Sequence, residues 1–290
     1  MTKRVLILGV NGMLGHTCFE HFNALREFEI IGTWRGADFE NIKSFDVING
    51  TASELVEEVR PDWIINCIGV IKQKIQDDNQ DSIDNTILIN SVFPKELSSA
   101  VSGSEIKVLQ IATDCVFSGD IGGYNEESLH DAADLYGQSK SHGEIQAPEF
   151  MNVRASIIGR EKGSSYSLTD WFLSREYGST VDGYTNHLWN GITTLAFARI
   201  ASGIIEKNEF VRGTFNIVPS GQISKYALLQ LLRVHYNRED LLVIPTDESN
   251  FVDRTLSTIY PELNERLWKA AGYEKIPTIE TLIKEFAAYY

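Results

Sequence analysis

Residues 3–25 read KRVLILGVNGMLGHTCFEHFNAL, an apolar run that leads through a glycine-rich turn into a helical pattern. The run at 3–9 is typical of a strand buried on both faces of a parallel sheet. From residue 12 onward the apolar residues recur at helical spacing. Gly9, Gly12 and Gly15 lie at the junction. The stretch therefore predicts a strand, a tight turn and a helix, which together begin a doubly wound α/β fold.

The same alternation continues through the first half of the chain. Further strands are predicted at 29–34, 44–47, 62–69, 107–113 and 151–159, and helices at 51–60, 83–101 and 133–146. Later helices are predicted at 167–178, 224–236, 261–272 and 278–290. We therefore predict a parallel sheet of the Rossmann type over residues 1–160, a dinucleotide-binding domain. Residues 161–290 would form mainly a smaller substrate-binding lobe, with part of 190–220 returning to the Rossmann core.

Composition excludes several classes of function. The chain has 290 residues, of which 43% are hydrophobic, and a formal net charge of −14 without a basic cluster. Such a field repels nucleic acid, whose binding depends on neutralising phosphates. No apolar stretch reaches the roughly 20 residues that span a bilayer. The three widely spaced cysteines fit reduced thiols better than a disulfide framework or a metal site. We expect a cytoplasmic protein without a metal, and a homodimer remains open.

The glycine turn predicts a nucleotide site. Gly9 would permit the tight turn, Gly12 would let backbone N–H groups approach a pyrophosphate, and Gly15 would let helix and strand pack closely. The neighbouring turn residues Asn11, Met13 and Leu14 are predicted to contact the same ligand. The alternative is that the three glycines are merely structural.

The residue type at the end of the second strand bears on the choice of cofactor. An NAD site usually has an acid there that holds the ribose 2′-hydroxyl. This chain has Arg35, 20 residues after Gly15, and a guanidinium suits a 2′-phosphate. Asp38 nearby keeps NAD(H) as the alternative. The sequence favours NADP(H).

A tyrosine and a lysine predict the chemistry. In YGQSK, Tyr136 and Lys140 are spaced i and i+4, so they share one face of a helix. A nearby ammonium would lower the pKa of the phenol, which could then donate a proton to a carbonyl oxygen. Thr113 ends the preceding strand, and its hydroxyl could bind the same oxygen.

Three segments together resemble a known family. GVNGMLG, TDCVFSG and LYGQSKSHGE occur in this order, and they look like the extended short-chain dehydrogenase/reductases, more narrowly the dTDP-4-dehydrorhamnose reductase group. The resemblance is dense over residues 4–160 and thin afterwards. It implies NADPH-dependent reduction of the 4-keto group of a dTDP- or UDP-linked 4-keto-6-deoxy sugar, a step in the synthesis of surface-polysaccharide precursors.

The resemblance also implies roles for individual residues. Thr113, Tyr136 and Lys140 match the catalytic triad, and both Tyr136 and Lys140 would contact the cofactor. Further positions match residues around the cofactor and the site: Asp46 and Val47 beside adenine, Cys67, Ile68 and Gly69 under the cofactor, Ala155 and Ser156 near the nicotinamide amide, and Asn90 on a helix.

Cys115 stands two positions after Thr113, where the resemblance allows three kinds of enzyme. Sugar-nucleotide 4,6-dehydratases have an acid there, which a thiol cannot replace. Epimerase-reductases have a cysteine there with a distant histidine as partner, and simple 4-ketoreductases need neither. Buried cysteines are commonly inert, which favours simple reduction. The alternatives are a bifunctional epimerase-reductase that uses Cys115, and a non-catalytic NADP-binding regulatory subunit.

The substrate-binding residues are less defined, because the resemblance is thin after residue 160. Thr113 and Asp114 are candidates from the catalytic segment. Tyr184, His187 and Trp189 in DGYTNHLWNG are candidates from their position and residue type, and His187 could be the partner of Cys115. The alternative is that this aromatic cluster only packs the small lobe.

Overall fold

The computed structural model describes residues 2–290, which form a central parallel sheet with helices on both faces and a smaller lobe at one end. The strands are β1 Lys3–Leu8, β2 Phe28–Trp34, β3 Ile42–Ser44, β4 Trp63–Asn66, β5 Lys107–Ala112, β6 Phe150–Arg154, β7 Ile157–Ile158, β8 Thr180–Tyr184, β9 His187–Trp189, β10 Ile192–Thr193, β11 Gly213–Asn216, β12 Ile223–Ser224, β13 Leu242–Thr246 and β14 Val252–Asp253. The helices are α1 Met13–Leu25, α2 Ala52–Val59, α3 Gln80–Ile87, α4 Phe93–Val101, α5 Leu135–His142, α6 Leu168–Leu173, α7 Thr194–Lys207, α8 Lys225–His235, α9 Pro261–Ala270 and α10 Ile279–Tyr289.

The central sheet has seven strands in the order β11-β6-β5-β4-β1-β2-β3, and every pairing in it is parallel. The order reverses direction at β1, so the carboxyl ends of β1 and β4 flank a crevice of the kind that binds ligands in doubly wound folds. This architecture confirms the predicted fold class.

Apolar side chains cover both faces of the sheet. On one face α1, α7 and α9 contribute residues such as Phe22, Phe197 and Trp268 to a continuous core. On the other face α2 and α4 pack Leu55 and Leu97 against β1, β4 and β5. Because helices cover the interior strands on both faces, these strands are continuously apolar and do not alternate between apolar and polar residues. The sheet is thereby a rigid base for the residues at its carboxyl edge.

Several predicted elements differ from the structure, and the helix predicted at 167–178 already ends at Leu173. The third strand was predicted at 44–47 but is Ile42–Ser44, because the Asp46 carboxylate and carbonyl accept N–H bonds from Ile48 and Gly50 and close a turn. The strand predicted at 151–159 ends at Arg154, and β7 pairs with β10 in a separate sheet. The helix predicted at 83–101 contains a π-helical turn, Leu88–Val92, between α3 and α4.

Helix α7 had no counterpart in the predicted elements. Its residues are buried on almost all sides, and it packs against α1, α9 and the sheet. Its burial depends on α1 and α9, whose segments lie far from it in the sequence. The short strand β11 after it is the seventh strand of the central sheet.

The small lobe contains two further sheets. β13 pairs with β8, and β9 lies between β12 and β14. Helices α8 and α10 cover these sheets through Leu228, Leu232 and Ile283. None of the helices in residues 2–290 combines the length and apolarity that crossing a membrane requires.

Candidate active site

The glycine turn joins β1 to α1 with very little space around it. Gly9 has a φ of 80°, a left-handed conformation that favours glycine, and its N–H donates to the Thr33 hydroxyl (3.1 Å). A Cβ on Gly15 would lie only 2.1 Å from the Gly9 carbonyl oxygen. This contact lets the start of α1 approach the end of β1 closely. The predicted roles of Gly9 and Gly15 thus have a steric basis in the structure.

The start of α1 has the properties of an anion site. Gly12 is the N-cap, it has no side chain to cap the first turn, and the nearest atom to a Cβ there would be the Gly9 oxygen at 3.4 Å. The open face and the free N–H groups of a 13-residue helix fit a pyrophosphate. Asn11 and Gly12 are exposed beside this turn, Met13 is partly buried, and Leu14 is buried in the core.

The turn after β4 lies beside the glycine turn. A Cβ on Gly9 would lie 2.9 Å from the Ile68 side chain, and a Cβ on Gly69 would lie 3.9 Å from the Lys140 ammonium. Cys67 packs at the edge of the core next to β4. The structure therefore brings the glycine turn, the segment from Cys67 to Gly69 and Lys140 around one crevice. The backbone N–H donors at the start of α1 and the Lys140 ammonium fit a dinucleotide.

The residues predicted near the adenosine end follow β2 and β3. Arg35 is exposed just after β2, and among residues 2–290 it has no ion-pair partner. Asp38 accepts a bond from the Ser44 N–H (2.6 Å), so its carboxylate is used to hold the β2–β3 connection. Asp46 caps its own turn and Val47 is buried beside β1. These contacts leave Arg35 as the free polar group at the end of β2.

The catalytic segment follows β5 directly. Thr113 caps a short 3₁₀ turn, Asp114–Val116, by accepting the Cys115 N–H at 3.2 Å. The Thr113 hydroxyl donates to the buried Asp114 carboxylate (3.1 Å). This turn ends the strand and holds the Thr113 hydroxyl at the carboxyl edge of the sheet.

Helix α5 presents Tyr136 to Thr113. Asp134 is its N-cap and accepts the Gly137 N–H at 2.8 Å, and Lys72 pairs with the other oxygen of that carboxylate at 2.8 Å. A Cβ on Gly137 would lie 2.3 Å from the Cys115 carbonyl oxygen, so α5 and the 3₁₀ turn touch backbone to backbone. Asp134 and Gly137 were not singled out by sequence reasoning, although the N-cap residue type before an apolar helix start is a usable signal.

The pKa of Tyr136 lies above its usual value, in the direction opposite to the predicted one. Burial is the main cause, the nearby Cys115 and Asp114 add to it, and the Thr113 hydroxyl opposes it by hydrogen bonding. The phenol is therefore protonated at neutral pH. A protonated phenol is a proton donor, which is the form that reduction of a carbonyl requires.

Lys140 is buried on the same helix face. Its ammonium donates to the Ile111 carbonyl oxygen at 3.0 Å, and burial lowers its pKa to about 8, although Glu144 and Cys67 raise it. The ammonium is thus held between the end of β5 and the turn that contains Gly69. In this position it can contact a cofactor ribose in the crevice.

Asn90 lies in the π-helical turn and connects the turn after β4 to helix α5. Its side-chain oxygen accepts the Val70 N–H (2.8 Å), and its amide donates to the Val70 carbonyl (3.1 Å) and the Ser139 hydroxyl (3.0 Å). A Cβ on Gly143 would lie 2.1 Å from the Asn90 carbonyl oxygen. Asn90 therefore fixes the turn under the crevice to the helix that carries Tyr136 and Lys140. This is a positioning role.

The thiol of Cys115 is held in its protonated form. Burial, reinforced by the adjacent Asp114 carboxylate, raises its pKa to about 12, while Arg254 and Thr113 oppose the shift. The thiolate is the reactive form of cysteine, so the site disfavours it. The side chain's hydrogen-bond partner is Asp114, at 3.8 Å.

The three aromatic candidates of the small lobe have different surroundings. Tyr184 and His187 contact each other with ring centroids 4.7 Å apart, and the His187 imidazole bonds to the Asn250 carbonyl at 3.0 Å. Trp189 is buried, and its indole N–H donates to the Ser156 hydroxyl at 2.9 Å. Ser156, which follows β6 and the buried Ala155, also lies close enough to the Asp114 carboxyl to lower its pKa, against the larger effect of burial. Trp189 is therefore the aromatic candidate that the structure connects to the catalytic segment.

Two cations beside this segment were missed from the sequence. Lys225 begins α8 and Arg254 follows β14, and both act electrostatically on Asp114 and Cys115. Neither lies near the catalytic segment in the chain, and neither belongs to a motif. Among residues 2–290, no group of three His, Cys, Asp or Glu side chains is arranged to hold a metal ion.

Comparison with known proteins bears on the family and the fold. A family model described as RmlD substrate binding domain matches residues 3–290. The fold is similar to that of a dTDP-4-dehydrorhamnose reductase from Bacillus anthracis in complex with NADP, with a TM-score of 0.80 and 21% identity over 100% of both chains.

Two kinds of curated relative match the chain at low identity. A dTDP-4-keto-6-deoxy-D-glucose reductase from Streptomyces niveus is 21% identical over 95% of this chain and 93% of its own length. The methionine adenosyltransferase 2 subunit beta of Xenopus tropicalis is 24% identical over 49% of this chain. The matched part spans only 42% of that subunit.

Proposed function

The chain belongs to the family described as RmlD substrate binding domain, and from this membership we propose that it is an NAD(P)H-dependent nucleotide-sugar 4-ketoreductase. Its substrate is a 4-keto-6-deoxy sugar on dTDP or UDP, and the reaction belongs to the synthesis of surface-polysaccharide precursors. The observation that carries the proposal is the convergence of Thr113, Tyr136 and Lys140 on the crevice beside the glycine turn.

The mechanism follows from the states of these side chains. When bound, the reduced nicotinamide supplies the hydride that reaches C4 of the sugar. Burial raises the pKa of Tyr136, so its phenol is protonated. Tyr136 gives this proton to the developing C4 oxyanion. The Thr113 hydroxyl orients the same oxygen, and the Lys140 ammonium stabilises the tyrosinate that forms. The Asp134 cap and the Asn90 contacts hold the two helix residues in place.

A direct experiment tests the proposal. The protein is mixed with NADPH and a panel of dTDP- and UDP-linked 4-keto-6-deoxy sugars, and the absorbance of the reduced cofactor is followed. We expect oxidation of NADPH with at least one member. If no sugar of the panel supports turnover, the proposed activity is wrong.

Arg35 is expected to determine the preference for NADPH. Exposed and without an ion-pair partner in residues 2–290, its guanidinium is free to bind a 2′-phosphate. Arg35→Ala should raise the KM for NADPH about tenfold, because the substitution removes a charge-assisted hydrogen bond to the 2′-phosphate. It should leave the KM for NADH unchanged, since NADH has no 2′-phosphate. Steady-state kinetics with both cofactors measures this. An equal effect on both cofactors would contradict the role.

Cys115 distinguishes simple reduction from combined epimerisation and reduction. Because its thiol is protonated and bonded to Asp114, Cys115→Ser should change kcat for reduction less than about threefold, as expected for a group outside the proton transfer. Turnover in deuterated water should put no deuterium at C3 or C5. A loss of several orders of magnitude with the fold retained, or deuterium at those carbons, would instead support the epimerase-reductase.

A second candidate function is a non-catalytic NADP-binding regulatory subunit. The similarity to the Xenopus tropicalis subunit beta favours it, because that protein is named as a subunit of another enzyme. The complete Thr113, Tyr136 and Lys140 set argues for turnover instead. The two functions separate in the NADPH assay, since a regulatory subunit binds NADPH without oxidising it.

A further inference from the structure

A tyrosine of the small lobe reaches the helix that begins at the glycine turn. Tyr290 follows α10, and its phenol oxygen lies 2.9 Å from Nε2 of His16 and 2.8 Å from Oγ1 of Thr17, both on α1. His16 and Thr17 are buried, and the Thr17 hydroxyl also bonds to that of Thr194 on α7 at 3.0 Å. These contacts attach the small lobe to the beginning of α1.

The other ring nitrogen of His16 reaches the glycine turn itself. Nδ1 lies 3.0 Å from the Gly12 carbonyl oxygen, which also accepts the helical bond from the His16 backbone N–H at 3.0 Å. A carbonyl can only accept, so Nδ1 carries the proton, and in the neutral ring Nε2 accepts from the Tyr290 phenol. Burial raises the pKa of Tyr290 to about 12, so the phenol keeps the proton that it donates. The hydrogen bonds therefore run in one direction, from Tyr290 through His16 to Gly12.

The Gly12 carbonyl belongs to the peptide that faces the anion site. Every peptide bond within residues 2–290 is trans, and in a planar trans peptide the C=O and N–H groups point in opposite directions. The Met13 N–H of this peptide thus points out of the start of α1, with the other free N–H groups that fit a pyrophosphate. Two donors on the carbonyl fix the plane of the peptide, and they polarise it so that its N–H is a stronger donor.

The second donor is more than the helix requires. The His16 backbone N–H already gives the Gly12 carbonyl the ordinary bond of an α-helix. His21, further along α1, shows the contrast, because its Nε2 bonds to the Ser202 hydroxyl of α7 at 2.9 Å and so joins two helices. The His16 ring instead directs its bond to the backbone beside the anion site. Its contact with Tyr290 is therefore placed to affect a ligand there.

We propose that Tyr290 and His16 are positioning residues for the dinucleotide, and that they act through the peptide between Gly12 and Met13. The inference rests on the proposed function for the cofactor, NAD(P)H. It adds that a residue of the small lobe sets the direction of an N–H donor at the pyrophosphate. NADPH and NADH carry the same pyrophosphate, so both depend on the two residues to the same degree, unlike the dependence on Arg35.

Cofactor binding tests this role without turnover. Fluorescence titration of the full chain gives the Kd for NADPH and for NADH, and thermal unfolding gives Tm. Tyr290→Phe removes only the hydroxyl, and it should raise both Kd values about fivefold, the contribution of one hydrogen bond. Tyr289→Phe removes the phenol of the neighbouring exposed residue and is the matched control. It should bind both cofactors as the wild type does.

A double-mutant cycle shows whether the effect passes through His16. His16→Asn keeps a donor near the Gly12 carbonyl, but its side chain is too short to reach Tyr290. It should weaken the binding of both cofactors about as much as Tyr290→Phe does, and the double variant should show no further loss. Losses that add in the double variant would show that Tyr290 acts by another route and would overturn the proposal.

The outcomes separate this inference from the proposed activity. A lower Tm of Tyr290→Phe with both Kd values unchanged would show a merely structural contact, and the positioning role would be wrong. A loss for NADPH alone would also contradict it, since the pyrophosphate is common to both cofactors. If the wild type binds neither cofactor, the positioning role is wrong together with the cofactor of the proposed function. If binding changes as expected but no keto sugar is reduced, the positioning role stands and the proposed reductase does not.

Discussion

Replacing Tyr136 by Phe should lower kcat for keto-sugar reduction at least about 100-fold, the usual contribution of a positioned general acid. The structure holds the Tyr136 phenol protonated by burial, next to the Thr113 hydroxyl. Phenylalanine keeps the ring and its packing but has no proton to give to the C4 oxygen. Steady-state kinetics at saturating NADPH measures the loss.

Two further measurements keep this expectation specific. The Tm of the Tyr136→Phe protein should stay close to wild type, because the removed hydroxyl carries proton chemistry rather than packing. Tyr273→Phe removes another partly buried phenol, one whose pKa is also raised by burial but which bonds to Glu285 far along the chain from α5. It should leave kcat unchanged. A Tyr136→Phe enzyme with near wild-type kcat would show that another group donates the proton.

Gly15→Ala is expected to damage both folding and cofactor binding. The new Cβ would lie 2.1 Å from the Gly9 carbonyl oxygen and 2.7 Å from its carbon, and these backbone atoms cannot turn away as a side chain would. Relief requires α1 to move off β1. Such overpacking costs about 1–3 kcal/mol of the free energy of unfolding. NADPH affinity should fall at least about tenfold, since the N–H groups of α1 shift with the helix.

Gly12→Ala is the matched comparison for this effect. Its Cβ would lie 3.4 Å from the Gly9 oxygen, and the φ of Gly12 is −81°, which alanine adopts without strain. Its Tm should therefore stay near wild type, while NADPH affinity falls because the methyl group occupies space beside the pyrophosphate. Thermal unfolding and NADPH titration of both variants measure the two effects. A Gly15→Ala protein with unchanged Tm and NADPH affinity would refute the close-packing role.

The fold class was predictable because its signals are local. The strand and the three glycines of residues 3–15 occur within one short stretch, and the parallel sheet follows from repeated alternation. The strand predicted at 44–47 and the missing α7 were errors of a different origin. The turn closed by Asp46 is itself local, since Ile48 and Gly50 supply its N–H groups, and it was overlooked; the burial of α7 instead depends on α1 and α9, which are distant in the sequence.

The sequence by itself determined that Tyr136 and Lys140 share a helix face, because a spacing of four residues fixes that geometry wherever the helix lies. It also indicated a reductase rather than a dehydratase through the thiol at position 115. Only the tertiary structure decided the protonation states of these groups. Burial raises the pKa of Tyr136 and Cys115 and lowers that of Lys140, and burial is a property of the whole fold.

The tertiary structure alone also brought Lys225 and Arg254 to the active site. More than 100 residues separate each of them from Asp114, and no spacing rule connects segments at that distance. Pairing of β12 and β14 with β9 places both cations beside Trp189 and the catalytic turn. Local motifs thus determined the chemistry, whereas the charges that surround it were decided by how the small lobe packs on the sheet.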